Sequence, residues 1–529
     1  MIHDLLKMSG TAKFETEVCI VGAGAAGLTV AREFLGSRTH VLVLETGGIN
    51  REEQADDLNQ GENVGVPDPG SLEGRARVFG GSTDLWSAVC IPLSESDFLK
   101  RPWVPFSGWP ITLDDLEPYY ARARTLLQVP VSAFRPGPWN LDGVGGLEYD
   151  PDLLSHCPIA FSPRPHRYFG KVLRRDFEHS ANVSVLLHAT ATDIRTHVSG
   201  ATVESLEARA ILGQRAIVRA RVFILCGGGF ENARLLLMSR NVDITGVGNR
   251  HDLVGRFYQD HPSARIGTIY SAQSAVLQKS YGISFRGFPP RPQPFLKLRL
   301  SPELQRRQQV LNCAAEIVWT IDEASGEQAM LALFRGLRAL RTPILPRAEV
   351  LKVLRDFPGT ARFIGQYLRG RPSLTEPKSM WLFSMAEQEP NPSSRVTLSN
   401  QRDALGLPQV RVDRRMTELD RRTAEVMALT VRDELQRLGI ARVELPEWLQ
   451  GPAEDWNPHM MAPFHPTGTT RMASDPKRGV VDETCRVHGV DNLYISGSSI
   501  FPTSGYANPT LTIVALAIRL ADHLRSVLK

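Results

Sequence analysis

The sequence predicts an α/β fold (α+β overall) whose Rossmann-like domain is built from discontinuous segments of the chain. A mostly apolar run at 17–21 predicts a buried strand, which a glycine-rich turn, a helix and a β-rich run at Val41–Leu44 follow. Two later segments, at 221–238 and from 493 to about 528, show the same order of strand, glycine turn and helix. We expect them to add strands and helices to one parallel sheet.

The composition narrows the class of protein. With 529 residues, two domains or one large composite domain are expected. Apolar residues make up 42% and charged residues 22%, as in soluble globular proteins. A net charge of +4 without clustering gives no reason to expect a nucleic acid partner. The six cysteines are scattered without metal-ligand spacing, which predicts buried thiols, a reducing compartment and no metal.

The sequence shows no targeting signal. Residues 1–13 lack the apolar core of a signal peptide, and no apolar run is long enough to span a bilayer. We therefore expect a cytoplasmic protein without a transmembrane segment. Export together with a partner subunit that carries its own signal is the alternative.

The turn after the first strand is a dinucleotide fingerprint formed by Gly22, Gly24 and Gly27. The glycines allow a tight turn and close backbone approach to a pyrophosphate, and the helix that starts at Ala25 and Ala26 offers it free N–H groups. Glu45, 23 residues after Gly22, has the right reach for a ribose hydroxyl. A glycine turn without a ligand is the alternative. The motif does not distinguish FAD from NAD.

A second glycine cluster lies at 77–86. Gly80 and Gly81 permit backbone approach to a flat ring or a phosphate, and Ser82 supplies a hydroxyl or an amide donor. Arg77 opens the cluster and is a further candidate contact. An ordinary surface turn is the alternative.

His465 is the candidate general base. It precedes Pro466 and Gly468, which argues against a helix interior. A neutral imidazole can accept a hydroxyl proton while a hydride leaves the adjoining carbon. A structural histidine is the simpler interpretation, and His459 and His488 are competitors. His261, in Asp-His-Pro, is read as a buried structural histidine, with a distant place in an active site as the alternative.

Asn508 and Pro509 open the last helix. Asparagine is a good cap and proline suits the first helical position, so a capping role alone is the simple interpretation. The functional alternative is that Asn508 binds a substrate hydroxyl while the helix end, including Thr510, faces a cofactor. The two roles are compatible.

The segment 334–371 is basic, with nine Lys or Arg residues against Glu349 and Asp356. A solvated helix face is the simple interpretation. The alternatives are a docking surface for an electron-accepting partner, a contact with a membrane surface, or steering of an anionic substrate.

Taken together, these motifs resemble those of the glucose-methanol-choline (GMC) oxidoreductase family. The similarity runs through nearly the whole chain and is most specific at its two ends. It is greatest to the branch that contains pyranose oxidases and fructose dehydrogenase large subunits. The segments that carry the resemblance are 22–27, 77–86, 226–237, 248–262 and 465–523, and those typical of the branch are 108–111, 115–120, 387–392 and 403–408.

The resemblance implies FAD in the nucleotide site. It implies an FAD-binding domain of residues 1–100, 185–260 and 450–529, and a substrate-binding domain with an antiparallel sheet over the isoalloxazine ring, of residues 101–184 and 261–449. His465 and Asn508 match the active-site pair, Gly497 and Ser498 match flavin contacts, and Ala191 loosely matches an adenine contact. Leu85 stands where members with covalent flavin have a histidine, so non-covalent FAD is expected.

The sequence thus predicts an FAD-dependent oxidoreductase that oxidises a CH–OH group by hydride transfer to flavin N5, with His465 as general base. By family analogy the substrate is a small alcohol or carbohydrate such as a sugar, glycoside or polyol. The electron acceptor is oxygen, a quinone or a protein. A lyase with structural flavin, similar to hydroxynitrile lyases, and an electron-transfer subunit are the alternative functions.

Overall fold

The computed structural model describes residues 1–66, 73–130, 147–283, 285–286, 291–292, 294–338, 347–450 and 456–529. The strands, numbered β1 to β20 in chain order, are Ile2–Asp4, Thr11–Val21, Val41–Leu44, Gly61–Asn63, Val89–Cys90, Leu154–Phe161, Val183–Leu187, Thr190–Thr196, Val203–Arg209, Arg215–Leu225, Ser263–Tyr270, Phe285–Arg286, Arg291–Pro292, Phe295–Leu300, Cys313–Thr320, Ser379–Ala386, Arg395–Arg402, Pro408–Asp413, Arg442–Glu444 and Leu493–Ile495.

The helices are numbered α1 to α15 in the same way. They are Ala25–Glu33, Glu53–Asp56, Glu95–Phe98, Leu113–Leu127, Phe169–Val172, Arg174–Glu178, Gly228–Met238, Ser274–Tyr281, Pro302–Gln308, Gly326–Arg338, Arg347–Arg355, Phe357–Leu368, Glu418–Arg437, Glu447–Gln450 and Thr510–Val527.

A mainly parallel sheet forms the first layer, as the sequence predicts. Its order is β1-β7-β3-β2-β10-β9-β8, and β20 pairs with β10. The strands from β1 to β10 in this order, and β20, run parallel, whereas β9 and β8 continue the sheet antiparallel. Helix α15 packs between α1 and α4. The central strands are buried on both faces, which is why their sequences are almost continuously apolar.

An antiparallel sheet forms the second layer. Its order is β19-β11-β16-β15-β14-β6-β5, and helix α13 covers one face to make a second hydrophobic core. A small sheet of β17, β18 and β4 completes the fold. The α/β class with an antiparallel second sheet is therefore confirmed.

The strand positions bear on the predicted domain boundaries. β7 starts at Val183, just inside a segment assigned to the substrate-binding domain, and belongs to the parallel sheet. β5, within the first 100 residues, pairs with β6 of the antiparallel sheet. Each of the two sheets thus contains a strand from a segment that was assigned to the other domain. The division into two domains stays a prediction.

A buried ion pair joins distant parts of the chain beside the second sheet. The two terminal nitrogens of Arg101 donate to the carboxylate oxygens of Glu387 at 2.7 and 2.5 Å. Glu387 also accepts from the Asn312 backbone N–H at 3.3 Å. Because both charges are removed from water, the bidentate geometry is needed to offset their desolvation.

Candidate functional site

A cavity of about 810 Å³ opens where the parallel strands β2, β3, β10 and β20 end. Carboxyl ends of parallel strands meet at one edge of a sheet, so the turns that follow these strands converge there. The volume lies in the upper part of the range of roughly 300–1,000 Å³ usual for ligand sites. Its wall combines glycine turns of the first sheet with side chains of the antiparallel sheet.

Glycine allows the turns around the cavity to touch through their backbones. Gly22 has a φ of +104°, and a Cβ there would lie 2.7 Å from the carbonyl oxygen of Cys226. A Cβ on Gly81 would lie 2.7 Å from the Cα of Gly24. The fingerprint and the cluster at 77–86 are separate in sequence. They form one wall of the cavity, in which their backbones touch with no side chain between them.

Two helices present uncapped amino ends to this cavity. Neither α1 nor α15 has a side-chain cap or an acidic residue in its first turn. Ala25 and Ala26 of α1 and Thr510 of α15 line the cavity. Free N–H groups and the positive end of a helix dipole favour an anionic group at such places. This donor arrangement fits the pyrophosphate of a dinucleotide.

Glu45 lies at the end of β3 and lines the same cavity. Its carboxylate accepts from the N–H groups of Ala23 and Gly47 at 2.8 and 3.0 Å. Burial raises the pKa of Glu45 to about 7, although these bonds favour the charged form. Glu45 therefore holds the glycine turn in place, and its carboxyl group can accept a further hydrogen bond beside the cavity.

Arg77 is held by partners that the sequence did not indicate. It donates to Asn59 at 2.8 Å and pairs with Glu231 of α7 at 2.9 Å. Glu231 also pairs with Arg234 at 3.1 Å. Burial opposes ionisation of Glu231, but the surrounding guanidinium groups outweigh it and hold its pKa well below the usual range. The cluster fixes the loop 73–82 against the start of α7.

His465 and Asn508 meet at the cavity wall. The amide Nδ2 of Asn508 lies 3.1 Å from Nε2 of His465, and both residues line the cavity. An amide N–H can donate only to a ring nitrogen that carries a lone pair, so this geometry fits a neutral imidazole with its proton on Nδ1. Nδ1 is buried without a partner among the described residues. The pair brings together groups 43 positions apart.

Asp260 and His261 support this pair from behind. One oxygen of Asp260 accepts from the backbone N–H of His465 at 2.9 Å and the other from that of His261 at 2.6 Å. The ring of His261 lies edge-on to that of His465, with centroids 5.0 Å apart. Burial lowers the pKa of His261 to about 4. The structure thus favours the alternative that places His261 beside the site.

Burial also holds the pKa of His465 well below its ordinary value of 6.5, and the nearby His261 and Lys297 lower it further. Lys297 of β14 pairs with Glu316 of β15. The register Leu298 to Ala315 makes them cross-strand neighbours, and both line the cavity. Sequence reasoning missed this pair, because a Lys and a Glu on separate predicted strands give no signal until the register is known.

Most of the predicted site residues line the cavity, and a few lie elsewhere. His459 stacks on Trp448 and His488 bonds to the Ala473 carbonyl oxygen, and neither lines the cavity. Gly27 and Gly80 form the turns behind it. The predicted residues that line the cavity are Gly22, Gly24, Ala25, Ala26, Glu45, Arg77, Gly81, Ser82, Ala191, His465, Gly497, Ser498, Asn508, Pro509 and Thr510. Their binding roles stay predictions.

The capping role predicted for Asn508 is wrong. The helix runs over Thr510–Val527, Pro509 takes the cap position, and no side chain caps it. The Asn508 amide is directed to His465 instead. With no side chain capping it, the helix end stays open towards the cavity.

Comparison with known proteins agrees with this geometry. Residues 390–517, which include His465 and Asn508, match the family model described as GMC oxidoreductase. In this segment the chain resembles the GMC oxidoreductase family. It is 22% identical to the fructose dehydrogenase large subunit of Gluconobacter japonicus, over 97% of this chain and 98% of that protein. It is 26% identical to the 6'''-hydroxyparomomycin C oxidase of Streptomyces lividus, over 97% and 93%.

Solved structures show the same fold. A fungal aryl-alcohol oxidase aligns with a TM-score of 0.56 and 16% identity, over 97% of this chain and 99% of that one. Pyridoxine 4-oxidase from Mesorbium loti aligns with a TM-score of 0.53 and 18% identity, over 97% and 99%. A formate oxidase from Aspergillus oryzae, described for the modification of its FAD, aligns with a TM-score of 0.53 and 16% identity, over 97% and 98%. The glycine turns, open helix ends and cavity of this chain fit that cofactor.

Two alanine variants separate folding from cofactor binding at the glycine turn. A Cβ on Gly27 would lie 1.9 Å from the Gly22 carbonyl oxygen, so Gly27→Ala should lower stability by roughly 1–3 kcal/mol. A Cβ on Gly24 meets only the Gly81 Cα, at 3.9 Å. Gly24→Ala should keep the melting temperature of the FAD-free protein and weaken FAD binding. Thermal unfolding and flavin titration measure the two effects, and equal FAD affinity in Gly24→Ala and wild type would contradict the assignment.

Proposed function

We propose that this protein is an FAD-dependent oxidoreductase that oxidises a CH–OH group of a sugar, glycoside or polyol. One observation carries the proposal: a neutral histidine and an asparagine amide lie side by side in the cavity that the dinucleotide fingerprint borders. FAD supplies the hydride acceptor when it is bound. The protein supplies the binding of the alcohol, its orientation and the removal of its proton.

His465 takes the hydroxyl proton in this proposal. Its Nε2 lies at the cavity wall, and its lowered pKa keeps the ring neutral and ready to accept. In the substrate complex the Asn508 amide donates to the alcohol oxygen instead of to Nε2, which frees the lone pair of that nitrogen for the hydroxyl proton. Asp260 accepts from the backbone N–H of His465 and so fixes the backbone from which the ring projects.

The opposite wall supports a polyhydroxylated substrate. The ion pair of Lys297 and Glu316 offers donors and acceptors to hydroxyl groups remote from the reacting carbon, and Phe295 and Met385 add apolar surface beside it. Two relatives that align over nearly the whole chain are named for fructose and for 6'''-hydroxyparomomycin C. The electron acceptor is oxygen, a quinone or a protein partner.

Non-covalent attachment of FAD is part of the proposal. Leu85 lines the cavity where a histidine would be required for a covalent bond, and its side chain has no nucleophilic atom. Acid precipitation should therefore release the flavin into the supernatant. A yellow pellet and a colourless supernatant would contradict this part alone.

Replacement of the base tests the chemistry directly. His465→Ala should bind FAD normally and lower the rate of anaerobic flavin reduction by substrate by roughly 10²–10⁴-fold, because no group then accepts the hydroxyl proton. Stopped-flow absorbance on a panel of sugars, glycosides and polyols measures it. His459→Ala is the matched control, since that ring stacks on Trp448 outside the cavity. Reduction at the wild-type rate in His465→Ala would exclude the role, and a flavin that no alcohol reduces would point to a lyase.

The pH dependence of flavin reduction follows from the lowered pKa of His465. Activity requires the neutral ring and is lost as pH falls through its pKa, so with a neutral substrate the acid midpoint should lie below 6.5. Lys297→Met removes a charge that disfavours the imidazolium ion, and should move that midpoint upwards. Lys279→Met, at an exposed helix position, should leave it in place. A wild-type midpoint above 6.5, or no movement in Lys297→Met, would refute this electrostatic picture.

A further inference from the structure

A helical excursion connects two neighbouring strands of the antiparallel sheet. Strands β15 and β16 are antiparallel neighbours, from Cys313 paired with Ala386 to Thr320 paired with Ser379. Such neighbours need only a short turn. Instead the chain between them contains α10, α11 and α12. The excursion therefore serves something other than closing the sheet.

Helix α12 has apolar residues on two faces. Its inner face buries Thr360 and Phe363, and the ring of Phe363 lies 5.9 Å from that of Phe334 in α10. Its outer face carries Phe357, Ile364 and Leu368, which are 67%, 38% and 77% exposed. The spacing of these three residues follows helical periodicity, so they form one stripe along the helix.

Helix α11, directly before α12 in the chain, adds exposed apolar side chains. It has no buried residue, and its Leu351 and Leu354 are 52% and 66% exposed. We call the five side chains of Leu351, Leu354, Phe357, Ile364 and Leu368 the outward helical face. Isolated exposed apolar residues are common on proteins, but five large ones on two consecutive helices form a patch that marks an interaction surface.

Positive charge borders the outward helical face. Arg355, Arg362 and Arg369 are exposed, and none pairs with a carboxylate among the described residues. The two acidic residues of this segment already have partners. Glu349 pairs with Lys352 at 3.2 Å, and Asp356 accepts from the backbone N–H groups of Gly326 and Gly359. The outer surface of α11 and α12 is therefore apolar along its centre and basic at its margins.

We propose that the outward helical face lies on the surface of an anionic phospholipid bilayer, with α11 and α12 parallel to the plane of the membrane. In such a helix, apolar side chains enter the headgroup and acyl boundary by about 5–10 Å while arginines contact lipid phosphates. The stripe itself has no polar side chain, which suits acyl chains better than the mixed surface of a transient protein partner. None of the helices in the described part of the chain could span a bilayer.

Cosedimentation with lipid vesicles tests the proposal on the whole protein, and does not depend on the proposed reaction. The wild type should bind vesicles of phosphatidylglycerol and phosphatidylcholine at low salt, and bind phosphatidylcholine vesicles weakly. Phe357→Asp with Leu368→Glu should lower the partition coefficient at least about tenfold. Arg355→Gln, Arg362→Gln and Arg369→Gln together should lower it about a hundredfold, at roughly fivefold per charge, and remove most of its salt dependence.

A matched control separates this face from general surface effects. Leu212→Glu with Ile244→Glu changes two apolar residues that are 73% and 82% exposed on other parts of the protein. That variant should bind as the wild type does. The proposal is overturned if the wild type stays in the supernatant, or if control and face variants lose binding equally. It is also overturned if sedimentation velocity shows a dimer that only Phe357→Asp with Leu368→Glu dissociates, since the face would then join two copies.

Discussion

Contact between backbones at three glycines is the constraint on which the rest of the structure depends. Gly22 lies against Cys226, Gly81 against Gly24, and Gly27 against the carbonyl of Gly22, each at a distance that leaves no space for a Cβ. These contacts draw the ends of β2 and β10 and the loop at 77–86 into one wall. Any side chain there would separate the layers and open the cavity that they enclose.

The electrostatics of the site follow from its burial. A histidine removed from water and placed near a lysine is held neutral, and only a neutral ring can accept a proton. The buried Asp260 accepts from the backbone N–H groups of His465 and His261, and so positions His465. Had a carboxylate faced the ring directly, the pKa would rise and the base would be protonated over more of the physiological range.

The two sheets contribute different chemical groups to the cavity. The parallel sheet ends in turns and helix starts, whose N–H groups suit a phosphate-bearing cofactor. The antiparallel sheet contributes whole side chains, such as Lys297 and Glu316, which reach the cavity from the middle of strands. Strands β15 and β16 are held together by their own hydrogen bonds, so the segment that connects them can be long without disturbing the sheet. The excursion that carries the outward helical face is such a segment.

The sequence by itself determined the α/β class, the parallel strands and their glycine turns, because these depend on local apolar runs and on residues that permit unusual backbone geometry. It also singled out His465 and Asn508, whose short motifs are distinctive. Only the tertiary structure decided that the Asn508 amide faces His465 rather than capping α15, that His261 lies behind it, and that Lys297 and Glu316 complete the wall. Those contacts depend on strand register and join residues far apart in the chain. A local sequence pattern gives no information about either.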